Sequence, residues 1–231
     1  VFNILFFNSS TFEDRKMVDI LYQQSNSPSR YEIVRAHEPV VIDGNWNKPV
    51  WEAANALALQ YFLGDIPDFK PLVSAKLMYD EKNLYVIFKI FDRFVRCEEE
   101  KINGTVWKDS CVEFFFAPDN DFAMRYFNLE INCLGVPLMR YNRIPRKDTE
   151  KLKAADIRQI EIAHSIKDSF EGEITDTITW TVEYRLPLNI LSKYSSNISQ
   201  PREGVKWRAN FYKIADKSSN PHYITWSPIT N

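Results

Sequence analysis

"TVWKDSCVEFFFAPDN", Thr105–Asn120, is the stretch whose reading decides the fold. Its alternation puts Val112, Phe114 and Phe116 on one side of an extended segment, and Cys111, Glu113 and Phe115 on the other. In a two-layer protein one of those sides is core, where an ionised glutamate is strongly unfavourable unless paired. Glu113 therefore belongs on the outer face, with Trp107 at the mouth of the strand. There it either anchors a loop through a salt bridge or accepts hydrogen bonds from a ligand.

The segments on either side repeat the pattern. In "RYFNLEINCLG" Phe127, Leu129, Ile131 and Cys133 point one way, and Asn128, Glu130 and Asn132 the other. "LVSAKLMYD" and "LYVIFKIFD" flank the turn "DEKN" as a β-hairpin. Tyr31–Ala36 and Val40–Ile42 read as further strands, and "KPVWEAANAL" as a helical turn around Trp51. "IRQIEIAHSI" and "VKWRANFYKIAD" are extended. "GEITDTITWTVEYRLPLNIL" holds a strand with Ile178, Trp180, Val182, Tyr184 and Leu186 on one face, followed by a short helix. Residues 143–156 are basic and polar and read as a solvated loop or short helix. Many strands at even spacing, few glycines and only brief helices predict an all-β fold: an antiparallel, two-sheet β-sandwich of jelly-roll or immunoglobulin-like type. Residues 1–30 form an N-terminal extension with a short helix around Phe12–Gln23, and residues 31–231 form the domain.

Composition narrows the function. The 231 residues carry 29 basic and 31 acidic side chains, a net of −2 without a basic cluster, which argues against nucleic acid. No apolar run approaches the ~20 residues of a membrane span. The opening "VFNILFF" is too short and lacks the basic flank of a signal peptide. Three cysteines at wide spacing, Cys97, Cys111 and Cys133, give no zinc motif and allow at most one disulfide. No phosphate loop, GxSxG elbow or HExxH occurs. His222, beside Pro221, reads as a loop hydrogen-bonder. Glu113, Glu130 and Glu183 all lie on strands, so a catalytic carboxylate pair is sterically open but not singled out.

The outer face suits a neutral polyhydroxylated ligand. Glu113 sits there with Asn128, Glu130 and Asn132, and the last long strand adds Arg208, Asn210 and Tyr212 at alternate positions. Arg208 is placed to pair with a carboxylate. Flat aromatic rings suit the C–H faces of sugars, and the carboxylate and amides suit their hydroxyls.

Several segments together resemble carbohydrate-binding module family 9-like domains: "VIDGNWNKPVWEAA", "KLMYDEKNLYVIFKIFD", "VWKDSCVEFFFAP", "YFNLEINCLG", "WTVEYRLPL" and "WRANFYKIAD…PHYITWSP", in order over about residues 40–228. The resemblance implies a β-sandwich that binds sugars in a slot between two tryptophans. Such modules are often attached to xylanases, and some carry structural calcium. Carried over by position, Trp107 is one wall, Glu113 holds hydroxyls and Trp226 is the second wall, with Trp51 in the core. Trp180 and Trp207 are core by alternation, and Trp46 is a surface-packed loop residue.

The ligand set expected is thus Trp107, Glu113, Trp226, Arg208, Asn210 and Asn128, for an oligo- or polysaccharide partner. The metal question stays open, with Asp80, Asp92 and Asp109 near strand ends but without calcium-loop spacing. Work on polysaccharides implies an extracellular, periplasmic or cell-surface location. The alternatives are a xylanase-like glycoside hydrolase, or a sandwich interaction domain that has lost sugar binding. This subtype continues past "WSP" into another aromatic strand; here only residues to Asn231 follow.

Overall fold

A computed structural model describes residues 3–7, 29–118 and 125–229. The expected helix around Phe12–Gln23 lies outside the described residues. In chain order the strands begin with β1 (Asn3–Phe7), β2 (Arg30–Arg35), β3 (Leu57–Leu59), β4 (Tyr61–Phe62), β5 (Leu72–Tyr79) and β6 (Asn83–Asp92). They continue with β7 (Val95–Arg96), β8 (Ser110–Ala117), β9 (Tyr126–Asn132), β10 (Pro137–Ile144) and β11 (Asp148–Lys151). The last are β12 (Glu161–His164), β13 (Glu173–Ile174), β14 (Ile178–Pro187), β15 (Lys206–Ala215) and β16 (Tyr223–Thr225). Two single-turn α-helices, α1 (Ala154–Ile157) and α2 (Leu188–Leu191), and two 3-10 turns, Pro49–Ala53 around Trp51 and Val106–Lys108, complete the described elements. None of the described helices is long and apolar enough to cross a membrane.

Apart from β7 and β13, which pair with each other, these strands form a largely antiparallel β-sandwich, with β2 parallel to β5. One layer runs β2-β5-β6-β14-β12, with β3 on β5; the other runs β11-β10-β9-β8-β15, with β16 and β4 continuing from β15. β1 joins the layers at one edge, antiparallel to β15 through Ile4↔Trp207 and parallel to β2 through Ile4↔Tyr31. The predicted hairpin is β5–β6. Its turn is fixed by Asp80, which accepts the backbone N–H groups of Lys82 and Asn83 at 2.7 Å and the Tyr85 hydroxyl at 2.6 Å. Val40–Ile42 is irregular rather than extended in a ladder, and residues 148–151, expected in a solvated loop, pair with β10 as β11.

The core between the layers is aromatic. Phe114 and Phe116 of β8 stack at 4.7 Å, and Phe116 meets Phe127 of β9 and Trp207 of β15 at 5.6 and 5.8 Å. Trp180, Val182, Tyr184 and Leu186 of β14 close it from the opposite layer. Trp51, Trp180 and Trp207 are all buried, and each such ring removes roughly 150–250 Å² from water.

The sequence segment around Asp43–Trp51 also has a physical explanation. Glu183 is fully buried on β14, facing away from the main core, and accepts hydrogen bonds from the Asp43 N–H (3.0 Å), the Gly44 N–H (2.8 Å) and the Trp51 indole (2.9 Å), with the Lys48 ammonium at 2.7 Å. Gly44, at φ 77°, supplies the left-handed turn that aims two successive N–H groups at one carboxylate. Trp46 packs beside this anchor with the Lys76 and Lys89 ammonium groups each 4.9 Å from its ring. The main core holds a second ion pair, Lys213 with Asp92 at 3.0 Å, both inaccessible to solvent. His222 is 2.7 Å from Lys213 Nζ and 2.7 Å from the Asn220 carbonyl, so it is a buried hydrogen-bonder. Burial and then the lysine charge pull its pKa down to about 3, which keeps the imidazole neutral.

Candidate functional site

The outer face of the β11-β10-β9-β8-β15 layer carries the residues that alternation placed there. Register sets their neighbours: Glu113 lies directly opposite Glu130 of β9 and Tyr212 of β15, and Phe115 lies opposite Asn128 and Asn210. β10 adds Arg140 opposite Asn128, and Asn142 opposite Tyr126. Across this face runs an aromatic row, with Phe115 stacked on Tyr126 at 5.5 Å and tilted against Tyr212 at 4.6 Å.

A cavity of about 220 Å³ opens beside the row. Its walls include Phe115, Tyr126, Asn128, Glu130, Arg140 and Asn142, with Arg146 and Thr149 at the β11 side. A polar relay lines it. The Thr149 hydroxyl donates to Asn142 Oδ1 at 2.8 Å, Asn142 Nδ2 to Asn128 Oδ1 at 2.7 Å, and Asn128 Nδ2 to Glu130 Oε1 at 2.6 Å. Arg140 Nη1 is 3.4 Å from the same Glu130 oxygen. The second carboxylate oxygen of Glu130 is buried and has no donor. A buried acceptor left open in this way is energetically unfavourable unless a partner arrives.

Glu113 and Glu130 are each only 3% exposed. Burial pushes the Glu130 carboxyl up to about 7, against the pull of Arg140 and the Asn128 amide. Burial first, and then the Glu130 charge, hold the Glu113 carboxyl well above the usual range, with Arg140 opposing. Two opposed, buried carboxyl groups with one guanidinium nearby disfavour double ionisation at neutral pH.

Trp107 sits on a single-turn helix, Val106–Lys108, just before β8. Its indole is half-buried, and the Arg140 guanidinium lies 5.1 Å from the ring. Arg140 therefore links Trp107 to Glu130 and the cavity. The loop before Trp107 is held by Asp109, which accepts from the Glu98 and Glu99 N–H groups at 3.0 Å and from Asn132 Nδ2 at 2.9 Å. A Cβ at Gly104 would fall 2.1 Å from the Glu99 carboxylate carbon, so a larger residue there displaces the Glu99 side chain from the Thr105 N–H it accepts at 2.7 Å.

Three expected ligand residues require correction. Trp226 is 7% exposed and packs edge-on against Tyr31 and Phe211 at 6.5 and 5.8 Å. It shares the inward face of Ile224, so it is a core ring and not a slot wall. Asn210 does point outward, but its amide is committed to the chain end: Nδ2 donates to the Ser227 carbonyl at 3.0 Å, and Oδ1 accepts from the Ser227 and Phe211 N–H groups. Arg208 lies opposite Ala117, at the far end of β8 from Glu113, and the guanidinium beside the carboxylates is that of Arg140. Asn128 lines the cavity, whereas Glu113 lies next to it without forming its wall.

Sequence reasoning missed β10 entirely, and with it Arg140 and Asn142. The signal was present: after Gly135, "PLMRYN" alternates Leu138, Arg140 and Asn142 against Met139 and Tyr141. A second cleft, about 250 Å³, is lined by Arg35, Tyr79, Glu81, Pro201, Arg202 and Glu203. Arg35 and Glu81 pair with each other, and this cleft has neither an aromatic row nor an orphaned acceptor.

The aspartates weighed for calcium do not fit a cation. Asp80 and Asp109 are saturated by the donors already described. Asp92 accepts the Arg93 N–H at 2.8 Å and faces Lys213. Among the described residues no group of three or more His, Cys, Asp or Glu side chains is placed to hold a metal ion.

Residues 52–231 match the family model described as carbohydrate-binding family 9. The chain belongs to that family. Among solved structures, this family 9 domain resembles a candidate carbohydrate-binding protein from Bacteroides uniformis, at a TM-score of 0.75 and 24% identity, over 85% of this chain and 88% of that one. It also resembles a family 9 module from Caldicellulosiruptor kristjanssonii solved with glucose and with cellotriose, at a TM-score of 0.53 and 16% identity over 84% of this chain. These likenesses establish the sandwich. A protein of Arthroderma benhamiae described as extracellular is 26% identical over 199 residues, 82% of each chain.

Proposed function

We propose that this domain binds a neutral carbohydrate without transforming it, in the cavity between Tyr126 and Arg140. One observation carries the reading: Glu130, whose buried Oε2 lacks a donor, is among the residues lining a 220 Å³ cavity beside the stacked rings of Phe115 and Tyr126. A sugar hydroxyl supplies the missing donor, and Asn128, Asn142 and Arg140 offer further hydrogen bonds. Trp107 borders the site through Arg140 and keeps part of its ring exposed as a second apolar surface. Glu113, directly opposite Glu130 on β8, acts through that neighbour rather than on the sugar itself. The Caldicellulosiruptor module was solved with glucose and cellotriose, which supports a glucose-type or related oligosaccharide as ligand, in polysaccharide breakdown or uptake. The extracellular description of the Arthroderma relative supports placement outside the cytoplasm.

The opposed pair Glu113–Glu130 invites a hydrolase reading. Against it, a glycosidase must bring both carboxyl groups to one scissile bond, and Glu113 does not line the cavity.

Calorimetric titration with glucose, xylose and cellotriose tests the proposal. The wild type gives saturable heat with at least one of them. Glu130→Ala weakens binding by roughly 10–100-fold, the loss of a hydrogen bond to a charged group. Tyr126→Ala and Trp107→Ala weaken it by about 10-fold if their rings carry the sugar face. Absence of heat with every sugar at millimolar concentration, or Glu130→Ala binding as tightly as wild type, overturns the assignment.

A further inference from the structure

We propose that Cys97 and Cys133 form a disulfide as the chain folds in an oxidising compartment, clipping the loop that presents Trp107 to the end of β9. Both residues belong to the main core, at 6% and 0% exposure. The backbone brings them together independently of the thiols. Asn132, next to Cys133, donates from Nδ2 to the Glu99 carbonyl at 2.9 Å, and Cys133 Sγ lies 3.8 Å from the carbonyl of Arg96, next to Cys97. Asp109 holds the same crossing, accepting the Glu98 and Glu99 N–H groups with the Cys97 thiol at 3.6 Å.

Cys111 is excluded as a partner by the sheet itself. It packs with Val106, Leu138 and Trp107 on the outer face of β8, and the pair lies on the inner side. The odd count of three thus resolves into one bridge and one buried thiol.

The chemistry balances with a small-molecule disulfide as oxidant. One cysteine thiolate attacks glutathione disulfide and releases a glutathione thiolate, leaving a mixed disulfide. The second cysteine thiolate displaces the other glutathione. Two cysteine sulfurs are oxidised, one glutathione disulfide is reduced to two thiols, and those thiols take up the two cysteine protons. Burial keeps the folded thiols out of reach of a dissolved oxidant, so the bond forms before the sandwich closes. The bridge encloses residues 98–132, a loop long enough for a sizeable stabilisation.

The test uses the full chain, unfolded under reducing conditions and refolded with or without glutathione disulfide. The oxidised product loses about 2 Da in intact mass. A non-reducing digest yields one linked peptide pair containing Cys97 and Cys133, and titration in denaturant finds one thiol instead of three. Its melting temperature lies roughly 5–10 °C above that of the reduced protein. Reductant abolishes that difference in wild type and in Cys111→Ser, while Cys97→Ser and Cys133→Ser show no difference at all. Three titratable thiols after oxidative refolding, or Cys111 in the linked peptide, overturn the proposal. None of these readouts depends on sugar binding, so the result stands apart from the fate of the ligand assignment.

Discussion

Glu183→Ala lowers the melting temperature by roughly 10 °C or prevents folding outright, corresponding to a loss of about 3–5 kcal/mol. The effect is large because four groups converge on this one carboxylate. Its removal strands the Asp43 and Gly44 N–H groups and the Trp51 indole, and leaves Lys48, whose side chain is only 11% exposed, without its strongest partner. Glu183→Gln is also harmful, because its amide nitrogen must face other donors. Thermal unfolding followed by circular dichroism measures both. Near-native stability in Glu183→Ala would mean that the segment from Asp43 to Trp51 is held by packing alone.

Glu130→Gln does the opposite: it stabilises the unliganded protein and weakens sugar binding. The wild-type carboxyl, raised to about 7 by burial, is held in its charged form at pH 8 against that burial. A raised carboxyl means that the folded state binds more protons than the unfolded chain. Stability is therefore greatest below the ordinary glutamate range, falls as pH rises from about 4.5 to 7, and is level above that for this group. The neutral amide removes a penalty of roughly 2–3 kcal/mol at pH 8, about 5–10 °C in melting temperature. A sugar hydroxyl favours the ionised Glu130, so wild-type affinity rises through about pH 7 while unliganded stability declines. Melting curves and titrations at pH 5.5 and 8 check both trends. A drop in melting temperature at pH 8 for Glu130→Gln contradicts the account.

Much of the sandwich was legible because alternation is local. Phe127 and Leu129 inward, Asn128 and Glu130 outward, and Trp180 in the core need no knowledge of partners. The site was harder, because it depends on register between strands distant in sequence. Arg208 and Arg140 both alternate outward, and only the pairing of β9 with β10 shows which reaches Glu130. Glu113 was singled out over Glu130 on the family pattern, while burial and the orphaned oxygen, invisible in sequence, favour Glu130. Trp226 was misplaced although Ile224, two residues earlier, marks its face as inward. Asn210 shows another limit. An outward amide looks available until the chain end folds back and engages it.

β1 makes a continuous ribbon of what would otherwise be two separate layers, hydrogen-bonding to β2 on one side and to the start of β15 on the other. Without it, both of those borders would expose unpaired amide and carbonyl groups, the arrangement that invites a strand from another molecule to dock. Residues 3–7 thus seal both borders, and a chain trimmed at Ser29 would offer them to a strand from another molecule.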